Sequence, residues 1–246
     1  MQCVATRNEQ RFLPSALRGA RHVAMASLVV VTALTAAGAR GQTAREVAPI
    51  RVTCLDVYGQ AERGIGPKNI QRCLGTSTEF TFQTVNGDDI RGSALSQFDV
   101  LICPGGSGSK QSKALDAEGR QAVLDFVRNG GGYIGICAGA YLASSHYEWS
   151  LGILNARVVD TAHWARGTGD VTLKMTDEGR QLLGANEELV TCYYGQGPLL
   201  ASGDHADLAP YQVLATYNSE IAKNNAPSGV MIGTTAIAAS TYGKGR

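Results

Sequence analysis

No stretch of this 246-residue chain is apolar for long enough to cross a membrane as an ordinary helix. The longest apolar run, residues 23–37 (VAMASLVVVTALTAA), has 15 residues, short of the ~18 or more that a span requires. An excess of charge is missing too: 22 Lys and Arg face 21 Asp and Glu, which gives no electrostatic case for nucleic acid or an anionic membrane as partner. Histidine is scarce, with four. The six cysteines lack both the paired spacing of a zinc site and the dense, regular spacing of a disulfide scaffold, so no metal is expected. No G-x-G-x-x-G follows the first apolar strand, where residues 59–66 form only a loose Gly-bearing loop. Neither a nucleotide nor a flavin cofactor is therefore expected. There is no internal repeat and no low-complexity linker.

The short apolar run has a use of its own. Arg7, Arg11, Arg18 and Arg21 precede it, and it ends in Ala37-Gly38-Ala39, an A-x-A cleavage pattern. Residues 1–39 read as a signal peptide, and the mature protein is expected to be secreted or periplasmic, with no membrane contact after cleavage. An uncleaved anchor or an over-extended start fits the same residues. Removing the four arginines and Glu9 leaves 18 basic and 20 acidic residues. The five remaining cysteines are odd in number, so at least one stays unpaired within a monomer, and Cys137 is the candidate. Cys54 and Cys103 lie in expected strands and read as small core residues.

Along residues 50–246, apolar β-rich runs alternate with helix-compatible segments, the pattern of a parallel sheet with helices on both faces. Strands are expected at 50–58, 79–85 and 98–103, and helices at 67–74 and 117–128, the second with Val123, Phe126 and Val127 on one face. The later part is richer in strands, at 171–175, 189–194, 212–217 and 230–237, with one convincing helix at 177–183. One α/β domain results, flavodoxin-like in its first half and more β-rich in its second.

Residues 130–141, Gly-Gly-Gly-Tyr-Ile-Gly-Ile-Cys-Ala-Gly-Ala-Tyr, put Cys137 on a sharp turn between a buried strand and a helix. Gly135 and Gly139, two before and two after it, let the backbone bend without Cβ clashes, the arrangement that presents a nucleophile above a sheet edge. The helix that follows points its N–H groups at the sulfur, so a depressed thiol pKa is expected, at the end of a central parallel strand. A buried structural cysteine in a Gly-rich turn is the plainer reading. The loop 104–109, Pro-Gly-Gly-Ser-Gly-Ser, leaves the C-terminal end of a neighbouring strand, where open α/β sheets bind ligands. Gly106 N–H and Ala138 N–H are the expected pair of oxyanion donors. Gly105 and Ser107 are expected to face a substrate with them. Tyr193, Tyr194, Gly197 and Pro198, at another strand end, are candidates for a pocket wall opposite Cys137; as an aromatic strand end before a Pro-bearing turn they need no site.

Three stretches together resemble the class I glutamine amidotransferase-like superfamily, and in particular the N-terminal domain family of biotin-protein ligases. They are residues 98–108 (FDVLICPGGSG), 126–141, and YYGQGP at 193–198 with YGKGR at 242–246. The resemblance implies a flavodoxin-like core, a Cys nucleophile at Cys137 and an oxyanion loop at Gly105 and Gly106. It does not imply biotin ligation, which belongs to a separate catalytic domain. Relatives continue from a Gly-Lys-Gly-Arg segment into a further strand and a His-Pro-x-Glu-type element that supplies base and orienter. Here Arg246 closes that segment, which implies a domain truncated at its C-terminus or one that does not complete a triad. His163, with Trp164 and Arg166 beside it, is the best substitute base, although a solvated loop histidine fits as well. The expected function is that of an exported amidotransferase- or amidohydrolase-like domain acting on a small carboxamide or carboxylate ligand. The alternative is a non-catalytic module that keeps the pocket for binding or regulation.

Overall fold

The computed structural model describes residues 48–59, 65–75 and 77–246. The expected leader and most of the loop 59–66 lie outside the described residues. The first half alternates strand and helix: β1 (Ile50–Leu55), α1 (Ile65–Leu74), β2 (Phe80–Val85), α2 (Gly87–Arg91), β3 (Val100–Cys103), α3 (Gly108–Arg128), β4 (Gly132–Gly135) and α4 (Ala138–Ala143). Its four strands form a parallel sheet in the order β2-β1-β3-β4.

Both faces of this sheet are covered, and the central strand β3, VLIC, reads as a continuous apolar run. Val52, Cys54 and Ile102 pack with Ile70 of α1 on one side. Leu55, Leu101 and Cys103 pack with Leu115, Val123 and Val127 of α3 and Leu142 of α4 on the other. Each fully buried Leu or Val there contributes about 1.5–3 kcal/mol of transfer free energy. Cys54 and Cys103 are fully buried, as core residues.

Two expectations need correction. Cys137 follows β4, which is an edge strand of the four-stranded sheet and not a central one. Beyond β4 the Tyr133 N–H donates to the Arg246 carbonyl at 2.8 Å, and Ile134 is 38% exposed. A short apolar run with glycines at both ends reads the same whether one or both of its edges are paired. Helix α3 starts at Gly108 rather than 117, because Ser107 caps it through the Lys110 N–H. Asp116, at φ 55° and ψ −162°, then interrupts it, so only the later piece carries the amphipathic stripe that the sequence displays.

The second half is a six-stranded sheet, β5-β8-β10-β9-β6-β7, whose pairings are antiparallel: β5 (Ala156–Val159), β6 (Gly169–Met175), β7 (Leu189–Tyr194), β8 (Leu199–Ser202), β9 (Gln212–Tyr217) and β10 (Thr235–Ala239). Helix α5 (Asp177–Leu183) starts at a Thr176 cap and ends at Gly184 in the left-handed region. A Cβ on Gly179 of this helix would lie 2.0 Å from the Leu214 carbonyl oxygen, so α5 sits against β9 at a distance only glycine permits. The buried face of the sheet gathers Val171, Leu173, Met175, Tyr194, Leu199 and Tyr217 into one cluster.

Candidate functional site

The turn between β4 and α4 is built by close backbone approach. A Cβ on Gly139 would meet the Cys103 carbonyl oxygen at 2.0 Å, and one on Gly135 would meet the Gly139 oxygen at 2.5 Å. Cys137 between them takes φ 52° and ψ −100°, a region that L-residues rarely occupy. The loop after β3 is held against this turn by two side chains, Gln111 and Tyr58. Gln111, fully buried in α3, donates its Nε2 to the Pro104 carbonyl at 2.7 Å. The Tyr58 hydroxyl accepts the Ser107 N–H at 3.0 Å. Gly106, at φ 137°, lies so close to that tyrosine that a Cβ would sit 2.9 Å from its hydroxyl.

The result is convergence on one sulfur. The backbone N–H groups of Gly106 and Ala138 both act on the Cys137 thiol in the sense that favours its anion. A Cβ on Gly105 would stand 3.7 Å from the Cys137 Cβ. Ser107 is adjacent, but its N–H goes to Tyr58, and its Oγ caps α3 and meets Ser109 Oγ at 3.2 Å. Burial pushes the Cys137 thiol above its ordinary value, and the two N–H donors pull it back only in part. This corrects the expectation of a depressed pKa: desolvation of the thiolate outweighs two backbone dipoles.

From the second half a strap, residues 194–199, crosses the sulfur. Its carbonyls are spoken for in sequence: Gly195 O accepts the Cys137 thiol at 3.4 Å, Gln196 O accepts the Tyr141 hydroxyl at 3.4 Å, and Gly197 O accepts the Tyr194 hydroxyl at 2.9 Å. Gln196 itself has φ 68°. Tyr194 is buried and meets Tyr217 edge-on, whereas Tyr193 is 55% exposed and turns away from the site. Beneath Cys137 and Tyr194 lies a cavity of about 230 Å³ with apolar walls from Leu173, Met175, Leu183, Val190 and Ile237.

At the edge of the strap, Asp160 joins two side chains. Its Oδ1 holds His163 Nδ1 at 2.6 Å and its Oδ2 holds Arg166 Nη2. His163 is thus anchored to a carboxylate and not a lone solvated residue, but its described partner is Asp160 and not Cys137. His146 lies edge-on to Tyr147, and His205 Nε2 meets the Ser145 carbonyl at 3.1 Å. Among the described residues no imidazole hydrogen-bonds Cys137, and no cluster of three or more His, Cys, Asp or Glu is placed to hold a metal.

The sequence reading missed Tyr58, Gln111 and Tyr141. Each is a lone polar side chain on an otherwise apolar or helical pattern, and only its contact gives it meaning. A weak signal existed for Tyr141, four residues after Cys137 and therefore on the same face of a helix.

With this geometry in view, the likenesses to known proteins can be placed. Residues 68–165, less than half of the chain, match the family model described as biotin-protein ligase, N terminal. An uncharacterized protein of Chlamydia muridarum is 38% identical over 50 residues, or 20% of this chain and 19% of that protein. The chain thus spans about a fifth of the length of that curated relative. Among solved structures, a ThuA-like protein from Bacteroides uniformis is similar with a TM-score of 0.45 at 14% identity, covering 73% of this chain and 72% of that one. The protein SMU.1228c gives 0.40 at 14% identity, covering 69% of each. Residues 68–165 are thus similar to the biotin-protein ligase N-terminal family that the sequence resembles.

Proposed function

We propose that this chain is an amidotransferase- or amidohydrolase-like domain in which Cys137 captures a small carboxamide or related acyl compound. The observation that carries this reading is a cysteine held in a strained backbone conformation at a strand-to-helix turn, with the loop after β3 packed against it so that a Cβ on Gly105 would stand 3.7 Å from the Cys137 Cβ; the Gly106 and Ala138 N–H groups both favour its anion. In the step they would serve, the thiolate attacks the carbonyl carbon, a C–S bond forms, and the oxygen takes negative charge between the two donors. Collapse returns that electron pair to the carbonyl and expels the amine, which must pick up a proton. No positioned base contacts Cys137 among the described residues. Acyl transfer to Cys137 from compounds with good leaving groups is therefore expected to proceed, while amide turnover lacks the roughly 10²- to 10⁴-fold contribution of general acid–base catalysis. We further propose export, resting on the arginine-flanked apolar run and Ala37-Gly38-Ala39.

The raised thiol favours a second reading, a binding module that keeps the pocket without chemistry. Alkylation by iodoacetamide, resolved site by site by mass spectrometry, separates the two. Cys137 is expected to react faster than Cys192, which is half-buried and also raised by burial but has no N–H donors acting on it. Equal rates would leave the binding module.

A further inference from the structure

A densely packed interior leaves few voids larger than a water molecule, yet about 230 Å³ stands open beneath Cys137. A ligand pocket ordinarily sets a few polar groups among apolar ones to orient what it binds. Here, among the described lining residues, none is charged and none is an amide or an aliphatic hydroxyl. Apart from two cysteines and two tyrosines the lining is hydrocarbon, and the Tyr194 hydroxyl is already given to the Gly197 carbonyl. A charged group placed inside would lose its water and find no counter-charge. The room comes from small residues: Gly135, Ala140, Ala185 and Ala236 reach the cavity with at most a methyl group.

Strand geometry gives the cavity its shape. Alternate residues of β7, Val190, Cys192 and Tyr194, face it, as do Leu173 and Met175 of β6. The stretch of β7 from Tyr194 to Val190 is about 14 Å long. Spread along it, about 230 Å³ is a slender lane, the shape of a chain and not of a compact molecule. A methylene is close in size to a water molecule, which takes up about 30 Å³, so the lane holds about eight of them. Nor is the lane closed. Gly135, Ala140, Leu183, Leu200, Ala236 and Ile237 also line a second apolar groove of about 450 Å³, which reaches Ile134 and Leu182. Those two are exposed large apolar side chains, and the groove gives them a use. We infer that the acyl compound captured at Cys137 carries a linear hydrocarbon chain, with its carbonyl at the sulfur and its tail along the lane. Chains longer than about eight carbons pass on into the groove. This rests on the reading of Cys137 as the capturing group and adds the class of acyl group to it.

Acylation of the folded, full chain by p-nitrophenyl acetate, butyrate, octanoate and decanoate tests this. Each ester is kept below its micelle concentration, and each rate is divided by that of N-acetylcysteine with the same ester. The step moves the acyl group alone: the Cys137 proton goes to solvent, the C–S bond forms, the ester C–O bond breaks, and nitrophenolate leaves with the electron pair. Peptide mapping counts only the label on Cys137, because Cys192 lines the same cavity. On this scale octanoate is expected to react at least about thirtyfold faster than acetate, well inside the roughly fourfold per methylene that complete burial would give. Decanoate should keep that advantage, since its tail has the groove to enter. Ala236→Phe, which puts a ring where the two spaces meet, should cut the octanoate advantage to about threefold or less. If Ala236→Phe does not fold, Val190→Phe, at the far end of the lane, should slow octanoate more than butyrate. Relative rates that stay flat from acetate to octanoate would overturn the inference, as would an advantage that neither variant reduces. A decanoate no faster than acetate would overturn the passage into the groove. Absence of label on Cys137 at every chain length would overturn the capture reading itself, and this inference with it.

Discussion

The two halves of the domain contain the same packing device put to different uses. Gly139 in α4 and Gly179 in α5 each bring a helix so close to a strand that a Cβ would lie 2.0 Å from a carbonyl oxygen, of Cys103 in one case and Leu214 in the other. At Gly139 the close approach bends the chain beneath Cys137, whose thiol feels the Ala138 N–H. At Gly179 it seats α5 against β9 and does no more. The first half shapes backbone around one atom; the second supplies side-chain walls and a strap. A motif rich in glycine marks where backbone is the working part, and identical geometry elsewhere shows that the glycine alone is not the function.

The strongest test of this contrast is Cys137→Ala. It should abolish labelling by a nitrophenyl ester outright while leaving the thermal transition within a few degrees of the native one, since only a small half-buried side chain is removed. Next in size is Gly106→Ala. The added methyl would meet the Tyr58 hydroxyl at 2.9 Å and displace one of the two donors. Ester acylation of Cys137 should slow roughly 10²- to 10³-fold, as when an oxyanion donor is lost.

The glycine pair sharpens the comparison directly. Gly139→Ala and Gly179→Ala should each cost about 3 kcal/mol or more in urea unfolding, because a backbone carbonyl cannot yield as a side chain does. Only Gly139→Ala should also change Cys137 alkylation in protein that remains folded. Equal effects on reactivity would show that the two halves are not separable in this way.

A smaller effect comes from pH. Burial raises the Cys103 thiol and the Tyr194 hydroxyl to about 12 each, whereas the ordinary thiol value is 9.0. Groups raised in the folded chain ionise first in the unfolded one, so the stability they contribute is complete below pH 9 and is lost as pH rises toward 12. Urea midpoints measured across that window should fall steadily. Cys137 alkylation should keep accelerating past the ordinary thiol value, since its own pKa is raised as well. The smallest expected effect is Tyr58→Phe, which removes one acceptor from the Ser107 N–H and should cost about 1 kcal/mol.

Much of this fold was legible because local pattern and tertiary fate agree. Strands 189–194 and 212–217 and the helix 177–183 stand where their periodicity put them. The elbow, the loop after β3 and the Tyr194 strand end were marked by glycine and aromatic residues whose spacing has a local steric reason. The elements that escaped lack such a reason. β5 and β8 have four residues each and are strands through distant pairing, β5 with β8 across some forty residues of intervening chain and β8 in turn with β10. α2 did carry a signal, the capping box of Asn86 and Asp89, but one turn of helix leaves no periodicity to support it. Arg166 was visible only as a neighbour of His163. Its burial comes from strands that the sequence separates widely.

The Gly195 carbonyl above Cys137 carries a consequence for the lifetime of the sulfur. Oxidants attack thiolates far faster than thiols. A thiol that donates its proton to a backbone carbonyl, in a site that already disfavours the anion, is biased toward the form that oxidants attack more slowly. For a protein exported from the cytosol, as proposed above, that is a condition of survival, because an exposed thiolate in an oxidising compartment would pass to sulfenic acid or a mixed disulfide. The strained cysteine is therefore slower to oxidise than a free thiolate for as long as the Gly195 carbonyl accepts its proton.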